Sequence, residues 1–331
     1  MKTDSAHKLK ILVWLAVSAG VVLVFAPTLG RNIIDPRVWS GVQVPDSTIF
    51  WNIRLPRNLT AFLAGAGLAL SGMAFQAMFR TPLATPFTLG VSSGASLGVS
   101  IYLQIGLAFS VCGIPGKSFA AFGGALMALT IVYGLTRLKG GFSSATLLLA
   151  GVAISFCFSS LILFIQYISG VQHSFQLVRW LMGSLDVFGY QPVLNMLLFV
   201  GAGSLVLIFL SNELNLMMTG EDLATSRGAN VHLVKRLIFF AASLMVGGIV
   251  AFCGPIGFVG MMVPHICRLI IGSNHRYLMP ASLLAGGAFL AFCDMLSRCI
   301  LYNAEMPVGI VTALLGGPFF LWLLLTDRVH G

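Results

Sequence analysis

Long apolar runs separated by short polar intervals organise this chain. Ten runs lie near residues 11–29, 58–79, 86–109, 119–136, 145–169, 192–210, 237–253, 256–272, 280–301 and 308–325. Each approaches the roughly 20 residues that an α-helix needs to cross a bilayer. The runs are continuously apolar, whereas strands of a membrane barrel alternate apolar and polar positions, so helices are predicted and strands are not. The longest polar stretches, near 30–57, 170–191 and 211–236, are too short to bury a core of their own. The pattern predicts an all-α polytopic membrane protein of about ten transmembrane helices, with residues 1–331 forming a single transmembrane domain.

Composition strengthens that reading. Of 331 residues, 57% are hydrophobic and 9% charged, against roughly a quarter charged in soluble domains. Lys8 and Lys10 precede the run from Ile11 to Leu29, as in a secretion signal. That run exceeds a signal's roughly 7–15 apolar residues and further spans follow it, so it reads as an uncleaved first span. Ten spans put both termini on one side. Placing them inside leaves Lys2, Lys8, Lys10, Arg80, Arg137, Lys139, Arg227, Lys235, Arg236, Arg268, Arg276 and Arg328 in the cytoplasm. Arg31, Arg37, Arg54, Arg57, Lys117, Arg179 and Arg298 then lie outside. The basic excess inside favours cytoplasmic termini. The net charge of +9 is then largely a topology signal and calls for no nucleic acid.

Small residues and prolines describe the packing. Gly90, Gly94 and Gly98 recur every four residues and would line one face of the third span, allowing close helix approach. Gly65 with Ala69, Gly247-Gly248, Gly286-Gly287 and Gly316-Gly317 point the same way. Pro82, Pro86, Pro255, Pro264 and Pro318 fall inside or beside apolar runs. Backbone broken at membrane depth is tolerated where protein or a watery cavity satisfies it, which suits a transporter. A weak internal repeat relates Arg57–Gly90 to Arg236–Gly272, each with a basic start, a Gly-rich apolar run and prolines.

Catalytic chemistry is sparse. Gly113–Ser118 reads G-I-P-G-K-S, but a P-loop needs another Gly five residues before Gly116, where Val111 stands. It also falls in an outer loop, so ATP would be hydrolysed by another chain. Cysteines 112, 157, 253, 267, 293 and 299 are scattered and mostly apolar in character. A membrane enzyme would need clustered His or carboxylates such as H-E-x-x-H, which do not occur. An ion-coupled secondary transporter would need carboxylates at membrane depth. Asp294 is the clearest candidate, but Arg298 stands one turn away, so the two form a structural pair. G-E-D-L-A-T-S-R-G-A-N-V (220–231) reads as a short helix, with Glu221 and Asp222 at its N-terminus and Gly228 at its end, or as a solvated connector. Arg54, Arg57 and Arg298 read as headgroup anchors or as a docking surface.

Several motifs carry a resemblance that spans nearly the whole chain. They are R-L-P-R (54–57), Q-A-M-F-R-T-P-L-A-T-P-F-T-L-G-V-S-S-G-A within Gly65–Gly98, and G-P-I-G-F-V-G-M-M-V-P-H-I-C-R-L (254–269). His275-Arg276 and E-M-P-V-G-I-V-T-A-L-L-G-G-P-F-F-L-W-L-L-L (305–325) complete the set. The chain resembles the FecCD family, permease subunits of ABC importers for iron-siderophore, haem and cobalamin. Thr81, Met306 and Gly317 stand where the family more often has Asn, Leu and Ala.

The resemblance implies a cobalamin-importer-permease-like fold in a bacterial inner membrane. It also implies a homodimer (or a pair with a close paralogue), two cytoplasmic ATPase subunits that bind ATP and Mg, and an extracytoplasmic binding protein delivering a metal chelate. This chain itself would carry no cofactor. The ATPase-coupling loop would lie at about 212–235, centred on Gly220, Glu221, Asp222, Ala224, Arg227 and Gly228, with Arg227 where many relatives carry Leu. Arg54, Arg57 and Arg298 would receive acidic residues of the binding protein, since a guanidinium takes a carboxylate bidentately. Ser144 and Ala145 would stand at the inner gate of a pathway between the fifth and tenth spans, walled by Ser, Thr, Gly and Met. Iron(III)-siderophore is the expected cargo, with haem and cobalamin as alternatives. His173 in the loop after the fifth span is a candidate haem ligand, with Met182 as a thioether nearby. His265 is expected to make a hydrogen bond that packs helices rather than to ligate a metal.

Overall fold

The computed structural model describes residues 2–30, 38, 47–81, 84–106, 109–111, 114–138, 143–300 and 305–326. Arg31, Arg37, Pro82, Cys112, Lys139 and Arg328, which entered the sequence reading, lie outside the described residues. The chain runs through α1 (Lys2–Phe25), the short α2 (Ser47–Ile49), a π turn at Phe50–Arg54, and α3 (Leu55–Phe79). It continues through α4 (Val91–Ile105), α5 (Gly116–Leu138), α6 (Ser144–Ile168), α7 (Val171–Leu181) and α8 (Gln191–Phe209). Then come α9 (Ser211–Met218), α10 (Glu221–Ser226), α11 (Val231–Cys253), α12 (Val259–Ile271), α13 (His275–Cys299) and α14 (Val308–Thr326).

Among the described residues, seven segments are long and apolar enough to cross a bilayer, and α4, α12 and Val308–Leu323 are shorter apolar helices. Together they match the ten expected spans in order. The third and eighth are shorter than their apolar runs. Residues 86–89 form a 3-10 turn that Thr85 caps by accepting from Thr88 N at 3.4 Å, and Gly90 leaves it at φ 80°. Between α11 and α12, Gly254–Phe258 is irregular, and Phe258 is held at φ 69°. Backbone groups beside the break find partners inside the protein: Ser184 N donates to Cys253 O at 2.9 Å. Irregular backbone can therefore sit deep in the fold. One element was not expected, a two-residue antiparallel ladder pairing Ser110–Val111 with Ile114–Pro115. Its strands are too short to show a pattern in the sequence.

The centre of the bundle is α3. In its most apolar 18-residue stretch 89% of residues are buried, against 17% in α6 and 6% in α1. It packs against α13, α11, α12 and α8. Two contacts explain its small residues: a Cβ on Gly65 would stand 2.1 Å from Gly286 O, and one on Gly72 would stand 1.7 Å from Gly260 O. Backbone meets backbone there, and any side chain would force the helices apart. Gly94 and Gly98 make the same kind of contact with Gly124 and Ala120 of α5. Gly90 does not belong to that helical stripe, because it caps α4 from outside.

Helix directions define two ends. The end of α1, the start of α3, the end of α13 and the approach to α14 gather around Arg57, through Arg298 Nη2 to Ala26 O at 3.1 Å and Arg57 to Asp294 and Glu305. At the opposite end, Lys8 lies over the Tyr277 ring, 5.8 Å from its centre, so α1 begins beside the start of α13. Because α14 runs away from the Arg57 end, the first and last described helices begin and finish at the same end.

Candidate functional site: two charged clusters at opposite ends of α3

At the start of α3, Arg57 Nε donates to Asp294 Oδ1 at 2.9 Å and Nη1 to Glu305 Oε2 at 2.5 Å. Arg298 Nε lies 3.2 Å from Asp294 Oδ2. That contact is ionic rather than a directed hydrogen bond, because Arg298 Nε donates to the Asp294 carbonyl at 3.3 Å. The Asp294 side chain is fully buried, those of Arg57 and Arg298 nearly so, and Glu305 remains 60% exposed. Two carboxylates neutralise two guanidinium groups. Taking a charge out of water costs several kcal/mol in practice, so such burial requires pairing.

Other donors at this end hold α1. Arg298 reaches Ala26 O and Leu29 O, Arg54 Nη1 reaches Pro27 O and Thr28 O at 3.4 Å, and Asn58 Nδ2 donates to Leu23 O at 3.1 Å. The last carbonyls of a helix have no partners within it and carry partial negative charge. Asn58 therefore satisfies a last-turn carbonyl that α1 leaves open, and the arginines satisfy carbonyls of the turn that follows it. Beside the cluster opens a cavity of about 480 Å³, lined by Arg57, Arg179, Asp186 and Glu305 among others.

At the other end of α3, Arg80 adopts a left-handed conformation as the C-cap, φ 52° and ψ 35°. Its Nη2 lies 3.7 Å from Glu221 Oε1, the same oxygen that Lys235 Nζ approaches to 2.7 Å. Lys235 in the first turns of α11 is 1% exposed, whereas Glu221 is 37% exposed. Gly220 precedes α10 at φ 122° and Gly228 follows it at φ 87°, both favouring glycine. Ala224 is buried, whereas Asp222, Leu223 and Arg227 face outward. Asn215 of α9 ties this patch to α13: its Oδ1 accepts from His275 N at 2.8 Å and lies equally close to His275 Nδ1. Arg268 donates to Gln76 Oε1 at 3.2 Å, and Gln76 Nε2 donates to Met261 O at 3.0 Å, joining α12 to α3 nearby.

The model of the FecCD transport family matches residues 9–326. The chain belongs to the FecCD transport family. The chain is 40% identical over 290 residues to the cobalamin import system permease protein BtuC of Halobacterium salinarum, covering 88% of this chain and 77% of that protein. It is 39% identical over 287 residues to the hemin transport system permease protein HmuU of Yersinia pestis, covering 85% of this chain and 84% of that one. A solved structure described as an inward-facing conformation of a metal-chelate type ABC transporter superposes with a TM-score of 0.84 at 33% identity, over 96% of this chain and 99% of that one.

For this FecCD chain, the fold brings some of the residues singled out in the sequence together and separates others. Asp294 and Arg298 meet as an i, i+4 ion pair, and α10 forms where a short helix was read, from Glu221. The α9 helix before it had no clear signal. Arg57 and Arg298 do not stand open for a partner in the chain alone, because their guanidinium groups are buried among Asp294, Glu305 and the carbonyls after α1. Glu221 turns inward onto Lys235. Ser144 is half-buried and Ala145 exposed at the start of α6. His265 packs edge-on against Phe319, with ring centres 6.2 Å apart.

His173 and Met182 cannot share an iron. They stand at the third residue and the C-cap of α7, nine residues apart, or about 13 Å at 1.5 Å rise per residue. Among the described residues no group of three or more His, Cys, Asp or Glu side chains is arranged to hold a metal. Glu305 and Lys235 escaped the reading. Glu305 opens a motif that carries the family resemblance and no charge signal of its own, and Lys235 counts in the sequence as one cytoplasmic basic residue among twelve.

Proposed function

We propose that this chain is the permease subunit of a binding-protein-dependent ABC importer for a metal chelate. The observation that carries the reading is the division of labour along α3 in a chain of this family. One end bears a charge-lined cavity, and the other bears the outward face of α10 formed by Asp222, Leu223 and Arg227. The first receives an extracytoplasmic binding protein and the second a cytoplasmic ATPase subunit that supplies ATP and Mg. Both termini then lie in the cytoplasm of an inner-membrane protein. The exposed apolar faces of α6 and α14 suit a pairing with a second copy or a close paralogue around a central pathway. Ser144 and Ala145 lie at its cytoplasmic end.

The relatives named for cobalamin and hemin support a metal-chelate cargo and put these macrocycles ahead of the iron(III)-siderophore that the resemblance suggested. The test is uptake into proteoliposomes holding the permease with its ATPase, driven by internal ATP. The binding protein is loaded in turn with cobalamin, haem and a ferric siderophore. ATP-dependent uptake of one cargo is expected. Uptake that needs an ion gradient and no ATP would replace this reading with a secondary transporter.

A further inference from the structure

We propose that Glu305 is an internal competitor for Arg57, and that an acidic side chain of the extracytoplasmic partner must displace it in order to dock. This rests on the importer reading above and adds a regulatory contact to it. The charge count at the Arg57 end motivates the idea. Among the described residues Asp294 and Glu305 balance the charges of Arg57 and Arg298, so a carboxylate that approaches Arg57 meets one already in place.

The two carboxylates differ in how readily they leave. Asp294 is fully buried and touches both arginines, so moving it would strand charge in the core. Glu305 is 60% exposed, pairs with Arg57 alone among the described residues, and lines the 480 Å³ cavity through which a partner side chain would reach Nη1. A carboxylate entering there replaces one oxygen ligand of Arg57 by another, and Glu305 moves into water with its charge intact.

Displacement would also be felt beyond the site. Glu305 stands three residues before α14. The intervening backbone is held by Met306 N to Ser297 O at 3.3 Å. At Gly309 a Cβ would stand 2.1 Å from Met182 O, so α14 starts in direct backbone contact with the segment after α7. Releasing Glu305 removes the ionic tether on the entry to α14 and leaves its backbone contacts to Ser297 and Met182, while Arg57 and Asp294 stay fixed. The contact therefore acts as a latch that docking opens.

The test uses the full permease–ATPase assembly in nanodiscs and the binding protein of the same transporter as the probe. Its dissociation constant is measured with wild type, Glu305→Gln, Glu305→Asp, Arg57→Gln, and Arg57→Gln with Glu305→Gln. Removing an exposed ionic competitor is expected to tighten binding about threefold to fivefold in Glu305→Gln, with Glu305→Asp near wild type. Arg57→Gln weakens binding, and in that background Glu305→Gln has no further effect. If Arg57→Gln weakens binding but Glu305→Gln leaves it unchanged or weaker, the latch is wrong and docking at Arg57 stands. Unchanged binding in Arg57→Gln overturns both. Because Glu305 is exposed, its variants should stay monodisperse, and size-exclusion profiles check this.

Discussion

The two ends of α3 handle charge in opposite ways. At one end two arginines meet two carboxylates, and three of the four side chains are out of water. At the other, one half-exposed carboxylate serves two cations, of which Lys235 is buried and Arg80 is 45% exposed. The first arrangement is neutral and built into the helix packing, so it behaves as part of the core. The second keeps an excess of positive charge at a seam between a transmembrane helix and the short α10. Burial makes an ion pair costly to break, whereas exposure makes it cheap to rearrange. A contact that must move with a partner subunit belongs where one member is exposed, as Glu305 is at the rim of the first cluster and Arg80 and Glu221 are at the second.

The largest expected effect tests the buried cluster. Asp294→Ala leaves Arg57 and Arg298 without their shared counter-ion, and breaking a buried pair costs about 3–5 kcal/mol. Its midpoint of thermal aggregation, followed by size-exclusion in detergent, should fall far below wild type, with Asp294→Asn between the two. A shift no larger than that of Glu305→Gln would mean that the cluster is wetter than its packing indicates.

A smaller effect sharpens the contrast at the other end. Glu221→Ala removes the carboxylate 2.7 Å from Lys235, and a hydrogen bond to a charged group contributes about 1.5–3 kcal/mol. The thermal midpoint should drop less than for Asp294→Ala, and stimulation of ATP hydrolysis by the binding protein should fall because α10 loses its anchor. Intact stimulation would remove Glu221 from the coupling path.

Smaller still is the expected effect of Asp222→Ala with Arg227→Ala. Both side chains face outward, so stability should change by less than about 0.5 kcal/mol. Copurification of the ATPase subunit should nevertheless weaken. If stability falls and association does not, the outward face of α10 is structural. Last comes the loose pair Arg179–Asp186 at 3.7 Å, both sides more than half exposed. Exposed pairs contribute about 0–1 kcal/mol, and Arg179→Ala should leave the thermal midpoint within error while opening the cavity mouth.

Much of this was legible in the sequence. Ten apolar runs became ten apolar helices in order, because the bilayer imposes a length and hydrophobicity that no other pressure imitates. Gly65, Gly94 and Gly98 marked helix contacts because close backbone approach excludes every larger residue. Asp294 with Arg298 was readable from helical spacing, since partners four residues apart share a face. Glu221 and Gly228 bounded α10 through local rules of helix ends.

Long-range pairing lay beyond such rules. Arg57 reaches Asp294 across 237 residues and Glu305 across 248, and no local pattern ties those positions. Hydropathy likewise reads Lys235 as a charge to be kept in water, yet the fold buries it against Glu221. Which arginines were open to a partner and which were spent inside could be decided only by tertiary packing. The sequence by itself determined the helices and their order, because helix formation in lipid depends on composition and near neighbours. The tertiary structure alone decided which charges cancel, because electrostatic pairing depends on distance and burial between segments far apart in the chain.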